Sequence, residues 1–248
     1  MDEHYGAAYA AVYRGHWWFR ARRRVLLAAL GPPPGDAAGR RVLDVGCGDG
    51  LFFDDLAAYG RVAGIEVEEA LLDPDGPHWA AIRTTPLGQD PRDREPHGLV
   101  VALDVMEHVE DDSAFAAGLF AATAPGGRLL LTVPAFAALW DRHDEVNHHF
   151  RRYTPASLRA RLEGAGFVLD ACRCVFPSLY APKRAVAAIN RRRRAAASAE
   201  IDQLAVPPAP LNRLAEAWLV AEDRVQRRLR LNLGSSVLAD ARRPPSGA

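Results

Sequence analysis

The sequence predicts an α/β fold built on a parallel sheet, and three observations lead there. Short apolar runs alternate with helical stretches between residues 41 and 134; a glycine-rich turn follows the first run; and a helix stop, APGG at 124–127, precedes another. The runs are RVLDVG (41–46), RVAGIEV (61–67), WAAIRTT (79–85), LVVALDV (99–105) and GRLLLTVP (127–134). FFDDLAAYG, EEALLD and DSAFAAGLFAATA are the helical stretches among them.

The remaining elements follow in order. Residues 3–30 read as helix, because Tyr5, Tyr9, Val12, Tyr13 and His16 fall three or four apart ahead of HWWF and RARRRVLLAAL, and GPPPGD at 31–36 stops it. After the fifth strand comes WDRHDEVNHHFRRYT (140–154), dense in histidine and charge. TPASL then opens a helix, with Thr154 as N-cap and Pro155 at the first helical position. FVLDACRCVF (167–176) is a sixth strand, and LGSSVLADARR (233–243) offers a last one. The chain thus divides into an N-terminal helical cap (1–35), a core (36–176), a helical insertion (177–230), the final strand of the core (231–243) and a tail (244–248) expected to be disordered. In the insertion, Leu211, Leu214, Trp218, Val225 and Leu229 keep helical spacing and are expected to pack on the body, a lid or a membrane-facing helix being the alternatives. Residues 183–230 hold eleven Lys/Arg against five Asp/Glu, so this region reads either as a solvated basic face or as a peripheral contact with an anionic membrane or anionic substrate.

At 248 residues, 49% of them hydrophobic, the chain can bury one substantial core. Its 31 basic and 31 acidic side chains cancel, so the whole molecule has no electrostatic attraction to nucleic acid, and no nucleic-acid partner is expected. Lys183 is the one lysine. Cys47, Cys172 and Cys174 form no CxxC and no disulfide framework, which fits a reducing compartment. MDEHYGAAYAAVYRG lacks the apolar stretch of a signal peptide, and no apolar run reaches about 18 residues, so a cytoplasmic location is expected.

The most informative stretch is VLDVGCGDG. The strand ends at Asp44, and Gly46, Gly48 and Gly50 allow positive φ and close approach of a ligand to backbone, ahead of a helix whose N-terminus suits an anionic group. Leu51 stands where the dinucleotide fingerprint needs its third glycine, which argues against NAD. Glu66, twenty-two residues after Asp44, ends the next strand, where a carboxylate can accept both hydroxyls of a ribose.

VLDVGCGDG, GIEV, LVVALDVMEHVEDD and APGGRLLLTVP, in this order across residues 40–175, resemble the motif series of class I S-adenosylmethionine-dependent methyltransferases, small-molecule type, broadly similar to the ubiquinone-pathway O-methyltransferases. The resemblance implies a doubly wound, mostly parallel seven-stranded Rossmann-like sheet with an antiparallel last strand, and S-adenosylmethionine as cofactor. It places Asp44, Gly46, Gly48 and Gly50 at the methionine end, Glu66 at the ribose and Asp104 near the cofactor. The third strand departs from the family by ending IRTTPLGQD without the acid that holds adenine, leaving Thr84, Thr85 or backbone near Leu87 as candidates. HWWFRARRR resembles the family's N-terminal closing element; Arg22 is the candidate for the methionine carboxylate, with Arg20, Arg23 and Arg24 competing.

A sulfonium methyl is already activated, so the enzyme must chiefly align it and exclude water. A base helps when the nucleophile carries a proton of high pKa. Two segments could supply the chemistry. Asp104, Glu107 and His108 resemble the spacing of cation-using ubiquinone-pathway enzymes, but Glu-His here is also common without metal, and no divalent metal is expected. In 140–154, His143, His148 and His149 are candidate bases, with Tyr153 a further catalytic candidate; Arg151 and Arg152, with Tyr153, would hold an anionic group, and Trp140 would line the acceptor. Metal binding by His143, Asp144, His148 and His149 lacks helical i, i+4 pairing. The plain alternative is a solvated connection anchored by Trp140 and Phe150. The expected function is methyl transfer to a small-molecule acceptor, oxygen first, with nitrogen or carbon open. A membrane-surface methyltransferase of a lipid-linked substrate, or a cofactor-binding protein with other chemistry, are the alternatives.

Overall fold

A computed structural model describes residues 12–193, 206–229 and 231–246, and in it seven strands form one sheet. The strands are β1 (Arg41–Val45), β2 (Arg61–Ile65), β3 (Ile82–Arg83), β4 (His97–Leu103), β5 (Thr123–Pro134), β6 (Val168–Val175) and β7 (Ser236–Arg242), in the order β3-β2-β1-β4-β5-β7-β6. Every described pairing is parallel except those of β7, which runs antiparallel to both β5 and β6. The helices are α1 (Trp17–Leu30), α2 (Phe53–Leu56), α3 (Asp112–Ala122), α4 (Arg142–Val146), α5 (Pro155–Gly164), α6 (Tyr180–Arg193) and α7 (Ala209–Leu229).

Central strands buried on both faces read as continuous apolar runs, and here alternate residues serve two cores. Leu43, Val100, Leu129 and Leu131 pack with Leu119 of α3 and Leu158 and Leu162 of α5. Val42, Val101 and Leu130 pack with Val25 and Leu26 of α1 and Leu219 of α7. The order reverses at β1 and β4, whose connections leave in opposite directions, and this opens the crevice at the carboxyl ends where ligands bind in such sheets.

Several elements differ from expectation. The N-terminal helix is interrupted: residues 12–15 are helical, and His16 then caps α1, its Nδ1 accepting from Trp18 N. Residues 3–11 of the expected helix, and Arg194 of the RRRR run, lie outside the described residues. FFDDLAAYG gives only the single turn of α2 and a 3-10 turn, and EEALLD only the 3-10 turn Glu69–Leu71. APGG is no terminator; it sits inside β5, where a register shift opposite His97–Leu99 absorbs it.

The largest departure is α7. Its apolar stripe does not pack on the body: Leu211, Leu214, Trp218, Val225 and Leu229 are exposed, whereas Asn212, Glu216, Leu219, Asp223 and Gln226 are buried. The periodicity was compatible with either face, and specific partners decide which face turns inward. Glu216 pairs with Arg20 and Arg24 of α1, Asp223 with Arg173 and Arg227, and Asn212 bonds Trp17 N and Gly15 O.

Arg128 fastens the elements around β5, its guanidinium donating to Asp240 on β7 and to the carbonyls of Ala29 and Leu30 that end α1. Arg128→Met should destabilise the fold by about 2–3 kcal/mol, since charged hydrogen bonds are lost and partners stranded. Denaturant unfolding measures this, and an unchanged midpoint would refute the role.

Candidate active site

The glycine turn folds against the end of β2, with Gly46 N and Cys47 N donating to Ile65 O. Gly46, Gly48 and Gly50 have φ of 71°, 52° and 72°, left-handed conformations that glycine adopts without steric cost. Their surroundings differ. A Cβ on Gly46 would lie 2.3 Å from Val105 Cγ2, whereas one on Gly48 would meet nothing within 4 Å. Gly48 therefore borders open space, the cradle that a cofactor lying against backbone requires. Glu66 is buried beside it, its two carboxylate oxygens accepting from Gly48 N at 2.8 Å and Glu68 N at 2.9 Å. Asp44 is buried beneath; burial pushes its carboxyl up to about 7, Arg22 opposing and Glu66 adding to the shift. The helix expected after the turn is only the four residues of α2, so the open space beside Gly48 is bordered by the backbone of the turn itself.

Asp104 follows β4 at φ 59°, a strained backbone for a residue other than glycine. Arg22 Nη2 donates to Asp104 Oδ2 at 2.7 Å and to Thr132 Oγ1 at 3.2 Å, and Thr132 Oγ1 donates to Asp104 Oδ1 at 3.1 Å. The arginines of α1 part company: Arg20 and Arg24 pair with Glu216 of α7, Arg23 pairs with Asp55, and Arg22 lies on Asp104 at the crevice. Thr132 was not picked out by sequence. Its signal was present, as the single polar residue in the apolar run LLLTVP, in register with Leu103 beside Asp104.

Beyond Asp104, the 3-10 turn Met106–His108 carries a buried Glu107 whose Oε2 has no hydrogen-bond partner among the described residues. Burial and the nearby Asp104 hold the Glu107 carboxyl well above the usual range. The loop 140–154 closes on this turn, Phe150 N donating to Glu107 O, and brings His149 edge-on to His108 with ring centroids 4.5 Å apart. Ligating atoms of Glu107, His108 and His149 lie within 4.8 Å of one another. The candidate metal set thus loses Asp104, held by Arg22, and gains His149.

The loop is less irregular than expected. Asp141 and Asp144 form a capping box on the short helix α4, and Asp144, wholly buried, accepts Nε and Nη2 of Arg152 at 2.8 Å each and Nδ1 of His149 at 2.8 Å. Of the three histidines, His149 is half-buried with its Nδ1 on the Asp144 carboxylate, whereas His143 and His148 are exposed.

The anion-binding assignments fare worse. Arg152 is filled by Asp144, and Arg151 donates to Glu110 O and pairs with Asp112 at the start of α3. Tyr153, buried, donates to Asp112 Oδ2 at 3.0 Å, and burial followed by Asp112 pushes its hydroxyl far up, against a catalytic proton transfer. These three fasten the loop to α3 and β5 instead of presenting groups to an acceptor. Trp140 is half-buried, and Phe150 is half-exposed rather than an anchor. After β3, Thr84 is exposed, Thr85 half-buried, and Leu87 lies over Gly118 of α3.

The two glycines separate binding from folding. Gly48→Arg should fold and raise the Kd for S-adenosylhomocysteine by at least about tenfold, about 1.4 kcal/mol. Gly46→Ala should destabilise by about 1–3 kcal/mol through overpacking against Val105. Titration calorimetry and denaturation distinguish them; equal behaviour of the two variants would contradict the cradle.

Comparison with known proteins agrees with this geometry. A family model described as a methyltransferase domain matches residues 14–171. A probable S-adenosylmethionine-dependent methyltransferase of Mycolicibacterium smegmatis is 31% identical over 166 residues, covering 65% of this chain and 63% of that protein's length. A ubiquinone biosynthesis O-methyltransferase of Xanthomonas euvesicatoria pv. vesicatoria is 28% identical over 228 residues, covering 81% and 92% respectively. Among solved structures, the [4+2]-cyclase SpnF superposes with a TM-score of 0.61 at 17% identity, covering 97% of this chain and 92% of that one, a likeness of fold alone. With its seven-stranded sheet, its glycine cradle and a family match over most of its length, the chain belongs to the methyltransferase-domain family and is an S-adenosylmethionine-dependent enzyme.

Proposed function

We propose that this methyltransferase acts on a hydroxyl oxygen of a small-molecule acceptor, with His149 as the general base. The observation that carries the reading is the 2.8 Å contact between His149 Nδ1 and the buried Asp144, which orients the ring and favours the tautomer whose basic nitrogen is Nε2. The relatives named as O-methyltransferases support oxygen. When bound, the cofactor supplies an electrophilic methyl group on a sulfonium. The chain supplies position and charge: Gly46, Gly48, Gly50 and Asp44 hold the methionine end, with Arg22 beside Asp104; Glu66 takes the ribose hydroxyls; Thr85 and the backbone at Leu87 border the adenine. His149 would take the acceptor's proton as the hydroxyl oxygen is methylated. The three free cysteines fit a reducing cytoplasm.

The test is incubation with methyl-labelled S-adenosylmethionine and panels of phenols, alcohols, amines and carbon acids. Methyl ethers, with demethylated cofactor formed only when an acceptor is present, are expected. A wild-type protein that bound neither cofactor form would sink the reading, and cofactor binding without transfer to any acceptor would favour other chemistry on the same fold. His149→Gln should lower kcat by about 100- to 10,000-fold, a general base's share, while leaving cofactor affinity unchanged. A nitrogen acceptor with a free lone pair would show little loss, which separates the two acceptor classes.

Asp44 adds a pH dependence. Its carboxyl is neutral below about 7 and anionic above, and an anion there favours the cofactor's aminium group. Affinity for S-adenosylhomocysteine should therefore rise as pH approaches 7, by up to about tenfold per unit, and level off above. Asp44→Asn should flatten that profile. Because the folded chain holds this proton more tightly than the unfolded one, the residue's contribution to stability is present at low pH and lost as pH rises through about 7.

A further inference from the structure

The helix α7 turns outward the face that a surface helix normally buries. Leu211, Leu214, Trp218, Val225 and Leu229 are 57%, 67%, 62%, 53% and 62% exposed. Their spacing of three, four and seven makes one stripe along the helix, about 27 Å long at 1.5 Å per residue. A single exposed leucine needs no explanation, but a continuous stripe does.

The charges of the helix are sorted by face. All three acids turn toward the body: Glu216 to Arg20 and Arg24, Asp223 to Arg173 and Arg227, and Glu222 to Ser178 N. Arg227 is also spent there, on Asp223 and on the carbonyls of Val25 and Ala28. The charges left outward are Arg213, Arg224 and Arg228, all exposed and with no ion-pair partner among the described residues. At 100° per residue they fall together along one flank of the stripe. Trp218 combines an exposed ring with an Nε1 that donates to Ser178 Oγ at 3.2 Å, the apolar body and polar tip of a residue suited to an interface.

We infer that α7 is a docking helix for an anionic lipid surface, lying in the plane of the headgroups with its stripe in the acyl boundary and its arginine flank on the phosphates. No described helix is long and apolar enough to cross a membrane, so the contact is peripheral. A second copy of the chain is the poorer occupant, because this helix offers no outward acid to pair the arginines, whereas an anionic headgroup pairs them all. The contact leaves the fold undisturbed, since the inward face of α7 is already held to the body through Asn212, Glu216 and Asp223. It is also independent of which acceptor the enzyme methylates.

The full chain should co-sediment with phosphatidylcholine vesicles containing phosphatidylglycerol at least about tenfold more than with phosphatidylcholine alone, and added salt should reduce the bound fraction. Leu214→Gln with Leu229→Gln, and separately Arg213→Gln with Arg224→Gln and Arg228→Gln, should each abolish most of this binding. Both variants should retain wild-type affinity for S-adenosylhomocysteine, which reports an intact fold. The vesicle-induced blue shift of tryptophan fluorescence should be diminished in Trp218→Phe. Equal sedimentation with both vesicle types would overturn the inference. So would a wild-type dimer in light scattering that ignores vesicles and dissociates on the leucine substitutions, since the stripe would then be a self-association surface.

Discussion

Four carboxyl groups crowd the carboxyl edge of β1, β2 and β4, and the site is organised around the problem they pose. Asp44, Glu66 and Glu107 are buried, and Asp104 is half-buried. Charges so close and so poorly solvated repel strongly, and each needs a partner or a proton. Glu66 is answered by two backbone N–H groups and Asp104 by Arg22 and Thr132. Asp44 and Glu107 keep their protons to unusually high pH instead. Such a crevice favours a cationic ligand over a dinucleotide's phosphates, and a sulfonium that also carries an aminium group meets that bias. The N-terminal helix must fold over the crevice because it delivers the arginine.

The acceptor side is built by a different device. Asp144 is buried within the loop that follows β5, where it gathers Arg152, His149 and the amide of Asp141. Arg151 and Tyr153 then tie the loop to Asp112, and Phe150 N ties it to Glu107 O. A charged segment thereby becomes a cross-linked frame that holds one imidazole, His149, on a buried carboxylate. Most of its polar side chains are spent on building it.

Local signals made the cofactor half legible from sequence. Glycine turn, strand-end carboxylates and alternating runs depend on neighbours within a few residues, so the mostly parallel sheet and the places of Asp44, Gly48, Glu66 and Asp104 at strand ends could be anticipated. The acceptor half depends on partners far apart in sequence. That Arg151 would spend itself on Asp112, some forty residues earlier, leaves no local trace. The orientation of α7 was illegible for the same reason: a helical period reveals that an apolar stripe exists but not which way it faces. Buried polar residues matched by distant arginines overrode the usual rule that the apolar side goes in. Even so, Thr132 was readable, had the parallel register of β4 and β5 been worked out.

Within one and a half turns of α1, Arg20, Arg22, Arg23 and Arg24 point to different destinations: α7, the crevice and α2. The family match spans α1 but stops before α7 begins, and the two helices are keyed together through Glu216. The two helices are consequently not separable modules. A helix in the place of α1 without Arg20 and Arg24 would leave a buried glutamate unanswered, whereas removing α7 would leave those two arginines in solvent. Any change that recruits a new C-terminal helix must recruit its counter-charges nearly two hundred residues upstream.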